Sequence, residues 1–367
     1  MSEIAVLIID DSALVRQVLS TIINDTAGMK VIATAQDPVF ALKKLETIKP
    51  DVITLDIEMP RMDGLTFLKK LMKEDPYPVV MCSTLTHKSS ASSIKALRLG
   101  AVEIVAKPTS NLKKELSAQS KLIIAAIRVA AKAKVSNLRI PAKKIPTILD
   151  GQRKQNADVI LPKLSKVISQ PSNKLVAIGA STGGTIALEY VISSLKKDCP
   201  GVVVVQHMPA AFTAAFSSRL NSVAEVYVKE AEDGDMVEMG KVLIAPGGKH
   251  MIIDNRLGKL YVLIKDGPLV SRHKPSVDVL FRSVAHSAAK QCLGIIMTGM
   301  GDDGANGMKE MFDLGAFTLA QNQESCVVFG MPAVAIERGG VKRICSLELI
   351  QKMINAFNRP VEFKDYL

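Results

Sequence analysis

Carboxylates, a hydroxyl and a lysine recur at the ends of apolar runs in the first 127 residues. Asp10 and Asp11 follow Val6–Ile9, and Asp56 follows Val52–Leu55. Ser83 ends the run Val79–Cys82, and Lys107 follows Ile104–Ala106, just before Pro108. Converging carboxylates repel one another unless a cation sits among them. Oxygen ligands with room for water suit Mg²⁺, here Asp10, Asp11 and Asp56. With Mg²⁺ and Lys107 to neutralise incoming phosphoryl oxygens, Asp56 becomes the nucleophile of a phosphoryl-accepting site.

A second constellation lies after residue 173. The apolar run Leu175–Ile178 enters Gly179-Ala180-Ser181-Thr182-Gly183-Gly184, a small-residue turn ahead of a helical pattern. Such a turn exposes Ser181 and aims backbone N–H groups at an incoming oxyanion. The G-x-S-x-G spacing resembles a nucleophile elbow. It is not G-x-G-x-x-G, and no G-K-[ST] follows. Val202–Val205 ends in Gln206-His207-Met208-Pro209, and Leu293–Met297 in Thr298-Gly299-Met300-Gly301-Asp302-Asp303-Gly304. A serine, a histidine and an aspartate at one sheet edge can act as nucleophile, base and orienting carboxylate. Of the five histidines, His207 is favoured because it ends a buried strand, and His250 is its rival. Chemistry alone leaves Asp302 and Asp303 even.

These residues need scaffolds. In each half, short runs apolar on both faces alternate with helical patterns, as in parallel sheets covered by helices. The runs in the first half are Val6–Ile9, Val31–Ala33, Val52–Leu55, Val79–Cys82 and Ile104–Ala106. Those in the second are Leu175–Ile178, Val202–Val205, Val242–Ala245, Leu293–Met297 and Phe317–Ala320. Ile252–Asp254 and Lys259–Ile264 read as an inserted hairpin. The fold class is therefore α/β twice over. A five-stranded flavodoxin-like unit comes first, and a doubly wound, mainly parallel sheet with a β-hairpin inserted follows. The domains fall at 1–127 and 173–367, with a linker at 128–172.

The chain has 367 residues and carries a net charge of +11. Between Arg128 and Lys174 stand 11 Lys and Arg against 2 acids, a local excess of +9, with four prolines and no aromatic residue. That composition suits a solvated basic linker. Nucleic-acid binding would call for stacking aromatics or a recognition helix beside the charges. Five scattered cysteines without C-x-x-C spacing, no export signal and no long apolar run point to a reduced, cytoplasmic protein with no transmembrane segment.

Asp10-Asp11, Asp56 with Met59-Pro60 and Asp63-Gly64, and Lys107-Pro108 resemble a response-regulator receiver domain over residues 3–127. The resemblance implies phosphorylation at Asp56, Mg²⁺ held with Asp10 and Asp11, and phosphoryl contacts from Ser83 and Lys107. Many receivers carry an aromatic residue three before the lysine, where this chain has Ile104.

The Ser181 turn, Gln206-His207-Met208-Pro209, Pro275-Ser276-Val277-Asp278-Val279-Leu280-Phe281, the Met297–Gly304 segment and Gly330-Met331-Pro332 resemble the chemotaxis protein-glutamate methylesterase (CheB) family. By this resemblance the triad is Ser181, His207 and Asp303, with Thr182 and the Met300 N–H at the oxyanion. The implied activity is hydrolysis of glutamate methyl esters on chemoreceptors, releasing methanol, with deamidation of selected glutamines. A chemotaxis histidine kinase is the implied phosphodonor that raises activity. The catalytic domain is expected to use no cofactor.

Overall fold

The computed structural model describes residues 3–83, 92, 95–107, 113–133, 155–163, 171 and 173–366. His87, Pro108 and most of the basic stretch lie outside them. The chain divides into two compact units, Met1–Ile140 and Pro141–Leu367. No helix among the described residues is long and apolar enough to cross a membrane. All five cysteines are buried and unpaired.

The first unit runs β1 (Ile4–Ile9), α1 (Ala13–Asn24), β2 (Met29–Ala35), α2 (Pro38–Leu45), β3 (Val52–Asp56), α3 (Gly64–Glu74), β4 (Val79–Ser83), β5 (Glu103–Ala106) and α4 (Lys113–Ala130). Its sheet has the order β2-β1-β3-β4-β5, and every pair is parallel. Side chains stop the loops where helices must start. Ser12, Asp37 and Asp63 each accept backbone N–H bonds as N-caps of α1, α2 and α3. From β1 the chain turns one way to β2, and β3 lies on the other side. Ligands of open α/β sheets bind at such a switch point, beyond the carboxyl ends of the strands. Asp10, Asp11 and Asp56 stand there.

The second unit contains β6 (Leu175–Ala180), α5 (Gly184–Ile192), β7 (Gly201–Gln206), α6 (Ala210–Asn221), β8 (Tyr227–Glu230) and β9 (Lys241–Ile244). Next come β10 (His250–Arg256), β11 (Lys259–Lys265), α7 (Val277–Ser287), β12 (Cys292–Ile296), α8 (Ala305–Asp313) and β13 (Phe317–Gln321). The last elements are α9 (Met331–Glu337), β14 (Arg343–Cys345), α10 (Leu347–Ala356) and α11 (Pro360–Lys364). Seven parallel strands form the sheet β14-β13-β12-β6-β7-β9-β8. The expected hairpin is present, with β10 and β11 antiparallel in a separate sheet. β6 leads outward to β7, whereas its other neighbour, β12, leads outward to β13. The switch point therefore lies between β6 and β12. Helix α7 is buried along its whole length, packed against β10, α8 and β6. Its apolar residues join one core with the inner faces of the sheet and hairpin.

Ordered structure enters the basic stretch from both sides. Helix α4 continues to Ala130, past residue 127. At the other end, 155–163 packs on the second unit. Ala157 is buried with Ile252, Val270 and Val279, and Ile160 and Leu263 pack against them. Arg282 of α7 donates to the Leu161 carbonyl at 3.0 Å and to Asp158, and Ser271 N–H donates to the Gln155 carbonyl at 2.9 Å.

Candidate functional sites

The acidic site of the first unit assembles as its spacing implies. Carboxylate oxygens of Asp10, Asp11 and Asp56 all lie within 4.8 Å of one another, with Asp10 and Asp56 buried. Lys107 Nζ sits 3.0 Å from Asp10 and 2.7 Å from Asp56. Those two Oδ2 atoms are buried and, ion-paired though they are, accept no well-aligned hydrogen bond. Burial pushes Asp56 up to about 6, the Asp10 charge adds to the rise, and Lys107 opposes it. For Lys107, burial alone would favour the neutral amine. The Asp56 and Asp10 carboxylates outweigh it, so the group remains an ammonium. One ammonium against three carboxylates leaves two negative charges, which a divalent cation with oxygen ligands balances. The donor set thus fits Mg²⁺. Ser83 is buried at the end of β4, beside β5, and its carbonyl accepts the Lys107 N–H at 2.9 Å.

The second site grows from three strand ends. Ala180 of β6 pairs with Gln206 of β7, so Ser181 and His207 are the next residues on adjoining strands. Strand spacing of about 4.8 Å puts their backbones side by side. Gln206 reinforces the junction, its buried amide donating to the Ser181 carbonyl at 2.9 Å and the His207 carbonyl at 3.1 Å. Gly183 has φ +77° and closes the turn into α5. A Cβ there would lie 2.5 Å from the Cβ of Val327, so space as well as backbone favours glycine.

The loop after β12 brings the carboxylate. His207 Nε2 lies 2.8 Å from Asp303 Oδ2, and Asp303 is 1% exposed. Three groups at the start of α7 also donate to Asp303: Ser276 Oγ at 2.8 Å, Val277 N–H at 2.8 Å and Asp278 N–H at 3.0 Å. Burial raises the Asp303 pKa, while His273 and these donors pull it down. Two of the four neighbours are backbone donors. The Ser276 hydroxyl accepts from Val279 N–H and so turns its own proton to Asp303. That leaves the ionised carboxylate, with the His207 proton assigned to Nε2. A carboxylate at a helix N-terminus also gains from the helix dipole.

His207 is left with a free lone pair. Its Nδ1 is buried and has no hydrogen-bond partner. Burial pushes the ring down to about 3, so the ring rests as neutral imidazole. His250 presents no such lone pair. It is fully buried, its Nε2 bonds the Pro268 carbonyl at 2.9 Å, and its Nδ1 accepts Ser276 N–H at 3.3 Å. It braces the residue that braces Asp303. Asp302 turns away to a partly exposed pair with Arg338, 3.0 Å apart.

Thr182 and Met300 flank the serine. Thr298 Oγ1 donates to the Thr182 carbonyl at 2.9 Å, and Ser181 N–H donates to the Thr298 carbonyl at 3.0 Å. Gly299 lets the Met300 loop approach, since a Cβ there would lie 2.7 Å from Ser181 Cβ. Sequence reasoning singled out the Pro275–Phe281 motif without giving it a task. It also passed over His273, whose ring stacks on that of His207.

The CheB methylesterase family model matches residues 176–354, and the response regulator receiver domain model matches residues 6–117. A protein-glutamate methylesterase/protein-glutamine glutaminase of Shewanella oneidensis is 54% identical over 97% of this chain and 99% of its own length. One from Pseudomonas savastanoi pv. phaseolicola is 53% identical over 96% and 98%. The crystal structure of the Thermotoga maritima CheB methylesterase catalytic domain covers 50% of this chain and 98% of its own, at 38% identity and a TM-score of 0.49. With such identity over nearly its whole length, the chain belongs to the protein-glutamate methylesterase/protein-glutamine glutaminase family, as a receiver joined to a CheB catalytic domain.

Proposed function

We propose that this chain hydrolyses glutamate methyl esters and deamidates glutamines on methyl-accepting chemoreceptors in the cytoplasm, under control of phosphorylation at Asp56. The observation that carries the reading is the His207–Asp303 pair, 2.8 Å apart, with His207 Nδ1 unpartnered at the strand end beside Ser181. Ser181 Oγ attacks the side-chain carbonyl carbon, and its proton passes to Nδ1. The Met300 N–H and Thr182 receive the oxyanion. The proton then moves from Nδ1 to the leaving group, releasing methanol from an ester or ammonia from an amide. Water, deprotonated in turn by His207, frees the glutamate and Ser181. Asp303 keeps the Nε2 tautomer and offsets the imidazolium charge.

In the receiver, a chemotaxis histidine kinase supplies the phosphoryl group. Asp10, Asp11 and Asp56 would hold Mg²⁺, which when bound offsets the charge of the phosphoryl oxygens. Lys107 and Ser83 contact those oxygens, and Asp56 Oδ bonds the phosphorus. The basic stretch serves as linker rather than as a nucleic-acid contact.

The test is methanol release from methylated chemoreceptor by the full-length chain, with and without a small phosphodonor and Mg²⁺. Ser181→Ala should lower release on the order of 10⁶-fold, and activity within about tenfold of wild type would overturn the assignment. Asp56→Asn should lose the stimulation by phosphodonor.

A further inference from the structure

The His207 ring is held on its edge by Asp303 and covered on its face by a second imidazole. The His273 and His207 ring centroids are 3.6 Å apart, with planes only 6° from parallel. Aromatic pairs left to their quadrupoles favour offset or edge-on packing, so a close parallel stack needs outside restraint. The loop before α7 supplies it. Val270 and His273 exchange backbone hydrogen bonds of 3.1 and 2.8 Å, closing a tight turn. Inside that turn Ser271 and Arg272 both take left-handed backbones, with φ of +51° and +72°. Neither is a glycine, and two such residues in succession are kept only where surroundings over-determine them. Here the Ser271 hydroxyl donates to buried Asp278 at 2.9 Å, and Asp278 also accepts Gly307 N–H at 2.8 Å. The strained turn is thus pinned to the α7 end that holds Asp303.

We propose that His273 is a positioning residue for the reaction: it clamps the plane of the His207 ring and stabilises the imidazolium that forms there. This rests on His207 being the base. When Ser181 attacks, the Oγ–H electron pair becomes the new bond to carbon and the proton goes to Nδ1, leaving one positive charge on the His207 ring. Asp303 meets that charge at the edge. The π face of His273 meets it from above, a cation–π contact at a partly buried place. The clamp also stops the ring rotating about its bond to the main chain, which would move Nδ1 from the serine and Nε2 from Asp303. The charged groups on the elements around the pair are Asp303 after β12, Asp278 in α7, and Arg272, Lys274 and Asp266 in the loop after β11.

The experiment uses the full-length chain, phosphodonor and methylated chemoreceptor, with kcat and KM measured against pH. His273→Ala should lower kcat about tenfold or more while KM stays within about twofold, because the lost interaction belongs to the transition state. His273→Phe keeps a flat face that takes no proton. It should recover kcat to within about threefold of wild type with KM unchanged. A kcat for His273→Phe as low as that of His273→Ala overturns the proposal. So does a KM rise with kcat unchanged in His273→Ala. Should the alanine variant fail to fold, kcat and KM of His273→Phe decide alone. His207→Gln, run in parallel, tests the underlying reading. Activity within about tenfold of wild type there refutes His207 as base, whatever His273 does.

Discussion

Replacing Arg282 with Met should destabilise the catalytic unit far more than removing Asp158, the surface partner of its network. The guanidinium is 5% exposed and grips Glu310, itself 9% exposed, with paired bonds of 2.8 and 2.6 Å. A third bond of 3.0 Å reaches the Leu161 carbonyl, and Asp158, 52% exposed, completes the set. Deleting one member of a buried ion pair leaves its partner charged and dry, typically at about 3–5 kcal/mol. A half-exposed pair contributes about 0–1 kcal/mol. For a unit of this size about 1 kcal/mol corresponds to roughly 2–4 °C in Tm. Arg282→Met should therefore lower the Tm by roughly 6–20 °C, and Asp158→Ala by less than about 4 °C. The double variant Arg282→Met with Glu310→Leu should regain most of the loss, since apolar side chains need no partners. Arg282 lies six residues beyond Ser276, about 9 Å along α7, so methanol release by still-folded protein at low temperature should stay within about threefold of wild type. Thermal unfolding by circular dichroism reads the first three variants. An Arg282→Met loss below about 1 kcal/mol, or no recovery in the double variant, would refute the assignment of this pair as a buried, mutually dependent unit.

A fragment of residues 155–367 should melt at least about 4 °C above one of 173–367, because the shorter piece uncovers Val270 and Val279 and removes two partners of Arg282. Equal melting temperatures would show that the 155–163 segment is passive. Asp303→Asn should lower kcat about 10⁴-fold through the wrong imidazole tautomer, whereas Asp302→Asn, at a partly exposed pair with Arg338, should change it less than about tenfold. The reverse ranking would move the role to Asp302. In the receiver, protons and Mg²⁺ compete for Asp56. Burial raises this acid to about 6, so the carboxylate fraction is complete well above that pH and falls as pH drops through it. Mg²⁺ affinity by calorimetry should weaken roughly tenfold between about pH 7.5 and pH 5, and a flat affinity would contradict the raised value.

Much of this fold was legible because buried parallel strands read as unbroken apolar runs. Leu175–Ile178 and Val202–Val205 are such runs, and both lie at the sheet centre. The edge strands gave no such signal. β8 is four residues long with Val228 alone buried and Tyr227 exposed, while β14 is three residues long and exposes Ile344. Ser181, His207, Asp10 and Asp56 were legible as chemistry placed after apolar runs. The choice of Asp303 over Asp302 was not, since it depends on which side chain of one glycine-rich loop faces α7. The cradle itself, Val277 and Asp278 N–H, belongs to the main chain and leaves no residue type to read. His273 was hidden for a related reason. Its place follows from two left-handed residues that the letters Ser and Arg do not announce. The 155–163 segment reads as linker because it lies inside a basic stretch and offers only two small apolar contacts, Ala157 and Ile160, whose partners lie about a hundred residues on.

The two sites solve one electrostatic problem in opposite ways, and the difference follows from what surrounds each aspartate. Both stand beyond strand ends at a switch point, where helix N-termini and loops converge. Asp56 has carboxylate neighbours and one lysine, so its surroundings are short of positive charge, and burial leaves it half-protonated near pH 6. That shortage makes the site responsive, since a cation and a phosphoryl group supply what the protein withholds. Asp303 instead receives four donors, two of them from the first turn of α7, and has no unfilled acceptor directed at a further ligand. A charge so fully met is fixed rather than switchable. It suits a carboxylate whose task is to hold an imidazole in one tautomer through every turnover. A Ser276→Ala variant separates the two designs. It removes one donor and the α7 cap while leaving His207 untouched, and should cost about 1–2 kcal/mol in stability. Because the carboxylate would then be under-satisfied, kcat should fall by about tenfold at neutral pH and more at acid pH, as Asp303 begins to take a proton. A parallel loss at all pH values would mean that Asp303 stays ionised without Ser276, and that the backbone donors alone suffice.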